Sequence, residues 1–96
     1  MAVPEKRAYM VRYIGHVQGV GFRFTVVRFT QQYDSVSGYI KNLPDNSVEM
    51  YVEGIPVEAE SLLEDIAAGP HAGFIRKVQA QMVPPTGRYA TFSVTF

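Results

Sequence analysis

The sequence predicts an α+β sandwich of the ferredoxin-like kind: the order β-α-β-β-α-β, an antiparallel sheet, both helices on one face and a short extra C-terminal strand. Three observations lead there. Five short runs are rich in β-branched and aromatic residues or alternate apolar with polar positions. Two segments of helical period follow the first and third of these runs. A tight turn, "PDNS", joins the second run to the third.

Taken in order, residues 1–6 read as a short tail and residues 7–96 as one domain. "AYMVRYIG" is a strand ending at Gly15. From Phe22 to Tyr33 the apolar positions Phe22, Val26, Phe29 and Tyr33 fall at spacings of four, three and four, one face of a helix. The β-branched and aromatic content of "FRFTVVRFT" lowers helix propensity, and the alternation Phe22, Phe24, Val26 also suits a strand. After a break at "DSVSG", "GYIKNL" and "VEMYVEG" form a hairpin, with Val48, Met50 and Val52 on one face. The second helix starts at Pro56, carries Glu58 and Glu60 at its positive end and stops at Gly69-Pro70. Ala59, Leu62, Leu63, Ile66 and Ala67 make its buried stripe. "RKVQAQMV" alternates Val78, Ala80 and Met82 with polar residues, and "TFSVTF" alternates Phe92, Val94 and Phe96; the loop "PPTGRY" separates these last two strands.

Ninety-six residues with 47% apolar content suffice for one modest core. Nine basic and nine acidic residues cancel, so there is no global field to draw nucleic acid or an anionic membrane, and anion recognition has to be local. The absence of cysteine excludes a disulfide framework or a thiolate metal site. Two distant histidines, His16 and His71, do not make a zinc site either; both are assigned to loops without a chemical role. No stretch has signal-peptide character or approaches the roughly 20 apolar residues that span a membrane. A soluble, cytoplasmic, monomeric protein is expected.

A right-handed crossover through the first helix makes strands one and two parallel, with strand three inserted between them. Their C-terminal ends then lie about 10 Å apart on one edge, from the spacing of neighbouring strands. The glycine loop "GHVQGVGFR" and the polar end "KNLPD" should therefore face each other. Successive N–H groups in a glycine-rich turn that enters a helix can converge on an anion, and Gly19 and Gly21 allow the backbone to close around a phosphate. Arg23 adds a planar fork of donors matched to two phosphate oxygens. Such a site holds phosphate without a metal.

"GHVQGVGFR" followed about twenty residues later by "GYIKNLPD" resembles the acylphosphatase family, over nearly the whole chain from Arg7 to Phe96. The resemblance implies hydrolysis of a carboxyl–phosphate anhydride to a carboxylate and inorganic phosphate, with no cofactor. It also implies that Arg23 binds the phosphoryl group, that backbone N–H groups of Gln18, Gly19, Val20, Gly21 and Phe22 surround it, and that Asn42 holds the attacking water. The chemistry suits these residues. A carboxylate leaves without a strong general acid, and phosphoryl transfer rests mainly on positioning and charge stabilisation. The Asn42 amide orients water but cannot deprotonate it, so a phosphate oxygen of the substrate takes the proton. The sequence departs from the family pattern at His16, where many relatives carry arginine, and at Asn46, where glycine is usual; asparagine tolerates the left-handed turn.

RNA-recognition domains share the strand order, but their third strand carries a basic, aromatic signature that the acidic "SVEMYVEG" lacks. Phe22, Phe24, Phe29, Tyr33, Tyr39 and Phe74 are read as packing residues, not a base-stacking platform. A non-catalytic regulatory domain that binds phosphate or acyl phosphate needs Arg23 but not Asn42. A fragment of a larger carbamoyl-phosphate-using maturation factor with a similar leading domain is disfavoured by a sequence that ends at Phe96 without cysteine clusters.

Overall fold

A computed structural model of the chain describes residues 5–96; residues 1–4, most of the expected tail, lie outside the described residues. The elements are β1 (Arg7–Gly15), α1 (Phe22–Thr30), β2 (Ser37–Asn42), β3 (Val48–Gly54), α2 (Pro56–Ala67), a single 3-10 turn at Ala72–Phe74, β4 (Ile75–Val83) and β5 (Phe92–Val94). The sheet order is β4-β1-β3-β2-β5. Both β1 and β2 pair antiparallel with β3, so they run parallel to each other with β3 between them, as the crossover argument requires. The extra strand β5 joins β2 in parallel, which makes the complete sheet mixed.

The core lies between the helices and the sheet face that carries Val11 and Tyr13 of β1, Val48, Met50 and Val52 of β3, and Ile40 of β2. Helix α2 contributes Ala59, Leu62 and Ile66 and packs over β1 and β3; α1 contributes Phe22 and Val26 and packs over β2 and β5. Leu63 is only half-buried and Ala67 is exposed, so the α2 stripe is narrower than its sequence suggests. Helix α1 ends at Thr30, three residues before Tyr33. The N–H groups of Gln31, Gln32 and Tyr33 donate to the carbonyls three residues earlier, so the chain tightens into turns where the helical period would have continued. Tyr33 instead anchors outside the helix, its hydroxyl donating to Asp65 of α2.

Strand β4 departs from its pattern. Val78, Ala80 and Met82 pair with Tyr13, Val11 and Tyr9, which places them on the helix-covered side, yet Val78 is 47% and Met82 59% exposed. The two helices sit over β1, β3, β2 and β5 and stop short of the β4 edge. On the other side of the sheet, the segment from β4 to β5 crosses over β3 and β2. The Gly87 N–H donates to Glu53 at 3.1 Å, the Thr86 N–H donates to the Tyr51 hydroxyl at 2.9 Å, and Tyr89 packs on Tyr39 and Tyr51. Glu53 is thereby 1% exposed, its carboxylate also accepting the Tyr51 hydroxyl proton at 3.0 Å.

The connection between α1 and β2 is tied to the start of α2. Glu58 accepts from both the N–H and the hydroxyl of Ser35 at 2.9 and 2.7 Å, and the Ser35 hydroxyl oxygen accepts the Ile55 N–H. Those two donors hold the Glu58 carboxyl below its ordinary range. A carboxyl whose pKa is depressed by folding contributes stability above its unfolded pKa and loses it as pH falls through the folded one. The melting temperature should therefore drop with acidification below about pH 4.5, the ordinary glutamate value, and this acid limb should be shallower in Glu58→Gln. Asp45, held low by the Ser47 hydroxyl and N–H, keeps part of the limb in that variant.

Candidate active site

The chain leaves β1 through a close approach. A Cβ at Gly15 would sit 2.2 Å from the Phe74 carbonyl oxygen, to which the His16 N–H donates at 2.8 Å. From there residues 16–21 curl into α1. Gly19 and Gly21 have φ of 74° and 79°, and a Cβ at either would meet nothing within 4 Å. Glycine is needed there for backbone conformation, not for space.

The N–H groups of residues 18–22 have no protein acceptor among the described residues. Gly21 stands at the N-cap of helix α1 and supplies no side-chain cap, and the first turn holds no acidic residue. Unpaired donors and the positive end of the helix dipole therefore coincide at this loop, on a chain of zero formal charge. Arg23, the second residue of α1, is half-buried and has no carboxylate partner among the described residues; its guanidinium carbon lies 5.6 Å from the centre of the Phe96 ring. Arg12 and Lys41, by contrast, pair with Asp45 and Glu49 at 3.9 and 3.7 Å.

Asn42 is the last residue of β2, and its Oδ1 is buried without a hydrogen bond from any described residue. Buried side-chain acceptors are rarely left unpaired, so this one points to a ligand or a water as its partner. The turn beyond it closes as expected: the Leu43 N–H donates to the Ser47 carbonyl at 2.9 Å, and Asn46 adopts φ 73°.

One side chain joins the two motifs. The Gln18 amide nitrogen donates to the Leu43 carbonyl at 2.8 Å and to the Ser47 carbonyl at 2.9 Å, so the glycine loop is strapped to the hairpin next to Asn42. From the sequence alone, Gln18 has only a backbone role in the loop. The spacing within one motif carries no sign that its side chain reaches 25 residues along the chain.

The two histidines differ. His16 is exposed, its ring 5.7 Å from that of Phe74, and it lines a cleft of about 500 Å³ with Gln18, Asp45 and Arg76; neither Arg23 nor Asn42 borders that cleft. His71 does lie in a loop, but its Nε2 is 2.8 Å from the Val20 carbonyl oxygen, and its ring meets that of Phe22 edge-on at 5.7 Å.

Comparison with known proteins covers almost the same span. The acylphosphatase family model matches residues 9–94. An acylphosphatase of Yersinia pseudotuberculosis is 40% identical over 92 residues, 94% of this chain and 98% of that one. The crystal structure of acylphosphatase from Bacillus subtilis superimposes with a TM-score of 0.84 at 26% identity, covering 94% of this chain and 99% of that chain. Full-length HypF, in its phosphate- and nucleotide-bound form, matches with the same TM-score of 0.84 at 26% identity, but this chain spans only 12% of it. With both motifs strapped together on the expected edge of the sheet and the similarity running nearly end to end, the chain belongs to the acylphosphatase family.

Proposed function

We propose that the protein hydrolyses acyl phosphates at the junction of the glycine loop and the β2–β3 hairpin. The N–H groups of Gln18, Gly19, Val20, Gly21 and Phe22 together with the Arg23 guanidinium hold the phosphoryl oxygens, and Asn42 Oδ1 accepts a hydrogen bond from the water that attacks phosphorus. The P–O bond to the carboxylate breaks as the water oxygen bonds to phosphorus, and a phosphoryl oxygen takes the water's proton. The nest and Arg23 stabilise negative charge on the phosphoryl oxygens without reorganising. The observation that carries the reading is the buried, unpaired Oδ1 of Asn42 beside the strap from Gln18. A phosphate-sensing domain has no use for that acceptor.

The same reading takes residues 7–96 as one domain, working as a cytoplasmic monomer on small molecules and not on nucleic acid, which the zero formal charge and cysteine-free sequence support. The direct test is loss of the anhydride absorbance of a simple aromatic acyl phosphate, followed with the pure protein in excess EDTA. Acceleration over the uncatalysed rate is expected. An unaccelerated rate would sink the enzyme reading.

The site should also couple to stability. A nest that exists only in the folded chain binds inorganic phosphate only there, so phosphate raises stability by RT ln(1 + [L]/Kd), about 2.7 kcal/mol at a hundredfold excess over Kd. Phosphate also strengthens apolar burial generally, so the comparison is made at matched ionic strength. The rise in Tm should be largely lost in Arg23→Ala and largely kept in Asn42→Ala; equal rises in all three proteins would assign it to the solvent.

A further inference from the structure

We infer that His71 is a positioning residue that locks the Val20–Gly21 peptide in the one orientation that aims the Gly21 N–H at the phosphoryl group. The inference rests on the site reading above and extends it to a residue from a distant part of the fold. His71 Nε2 lies 2.8 Å from the Val20 carbonyl oxygen, and a carbonyl can only accept, so Nε2 carries the proton and donates it. Nδ1 is buried without a partner, which suits the neutral ring with its single proton on Nε2.

The consequence follows from peptide geometry. No peptide among the described residues is cis, so the Val20 C=O and the Gly21 N–H lie in one plane and point in opposite directions. Capturing the carbonyl on the His71 side turns the N–H to the other side, where no protein group accepts it. The glycine freedom that lets this loop form also makes the reverse orientation accessible, because Gly21 has no Cβ to resist rotation of the plane. In that flipped state the Val20 carbonyl would face the anion, and an attractive dipole would become a repulsive one. His71 opposes the flip, and its own ring is held between Phe22 and Phe74, with centroids at 5.7 and 6.1 Å.

The test compares wild type, His71→Phe, His71→Met and His71→Gln, each 15N-labelled and titrated with inorganic phosphate. Phenylalanine keeps an aromatic ring without a donor. Methionine and glutamine are alike in length, but only glutamine carries an N–H to offer the carbonyl, so that pair isolates the donor even if the phenylalanine variant folds poorly. Phosphate should shift the Gly21 amide saturably in wild type. Its Kd should weaken about three- to tenfold in the donorless variants, the scale of one hydrogen bond, with a smaller Gly21 shift and with both properties restored in His71→Gln. A merely structural role would lower Tm and leave Kd unchanged. Unchanged Kd and Gly21 response in folded His71→Met, or a glutamine variant no better than methionine, overturns the inference alone. If wild type itself shows no saturable response anywhere from Gln18 to Phe22, the site reading falls and the inference with it.

Discussion

Arg23→Ala should lower kcat/KM by about 10³-fold and weaken inorganic phosphate in parallel, whereas Asn42→Ala should lose about 10²-fold in rate with phosphate affinity nearly intact. The two losses differ because the two groups meet different partners. Arg23 has no carboxylate partner among the described residues, so its donors are available to a phosphoryl group, and their charge-assisted bonds serve bound phosphate as well as the transition state. Asn42 offers one buried acceptor, which the unprotonated oxygens of phosphate cannot use but a water can. Steady-state kinetics on an aromatic acyl phosphate, paired with phosphate titrations, separates the two roles. Near-normal turnover in Asn42→Ala would falsify its assignment, and unchanged phosphate affinity in Arg23→Ala would remove the arginine from the anion site.

Two glycines of the same loop should fail in opposite ways. At Gly15, φ is 144° and an added Cβ would lie 2.2 Å from the Phe74 carbonyl oxygen and 2.8 Å from the Arg76 nitrogen, both backbone atoms that cannot swing aside. Gly15→Ala should therefore push β1 and the start of β4 apart and lose stability on the order of 2–4 kcal/mol. Gly19 meets nothing within 4 Å, so the penalty of Gly19→Val is confined to its left-handed φ of 74°, about 1–2 kcal/mol for a side chain in that region. The loop can relieve that strain by changing conformation, which leaves the fold standing and dismantles the nest. Thermal unfolding by circular dichroism should show a large drop in Gly15→Ala and a small one in Gly19→Val, while activity collapses in Gly19→Val. Full activity in a folded Gly19→Val protein would make Gly19 a turn residue only.

What the residues determined by themselves was the face of each element, its start and the order of the elements. Alternation placed Val48, Met50 and Val52 on the core face of β3, Pro56 started α2, and the right-handed crossover set β1 and β2 parallel around β3, so the two motifs had to meet. The glycine turn at a helix start, with Arg23 in the first helical turn, was legible because the chain reversal and the arginine sit within a few residues of each other. The role proposed for Asn42 comes from the resemblance to a family; its residue type alone would leave it a turn residue.

Tertiary structure decided what depends on a partner far along the chain. The apolar stripe of β4 lies beyond the reach of the two helices, while Glu53, a charged residue in β3, is sealed by a loop from β4 to β5. Gln18 reaches 25 residues and His71 reaches 51 to find carbonyl partners. Local periodicity reports only which face of an element is apolar. Which elements end up side by side, and so which carbonyl a glutamine or a histidine can reach, is fixed by packing of the whole core, and that is why both groups bracing the glycine loop became visible only in the folded chain.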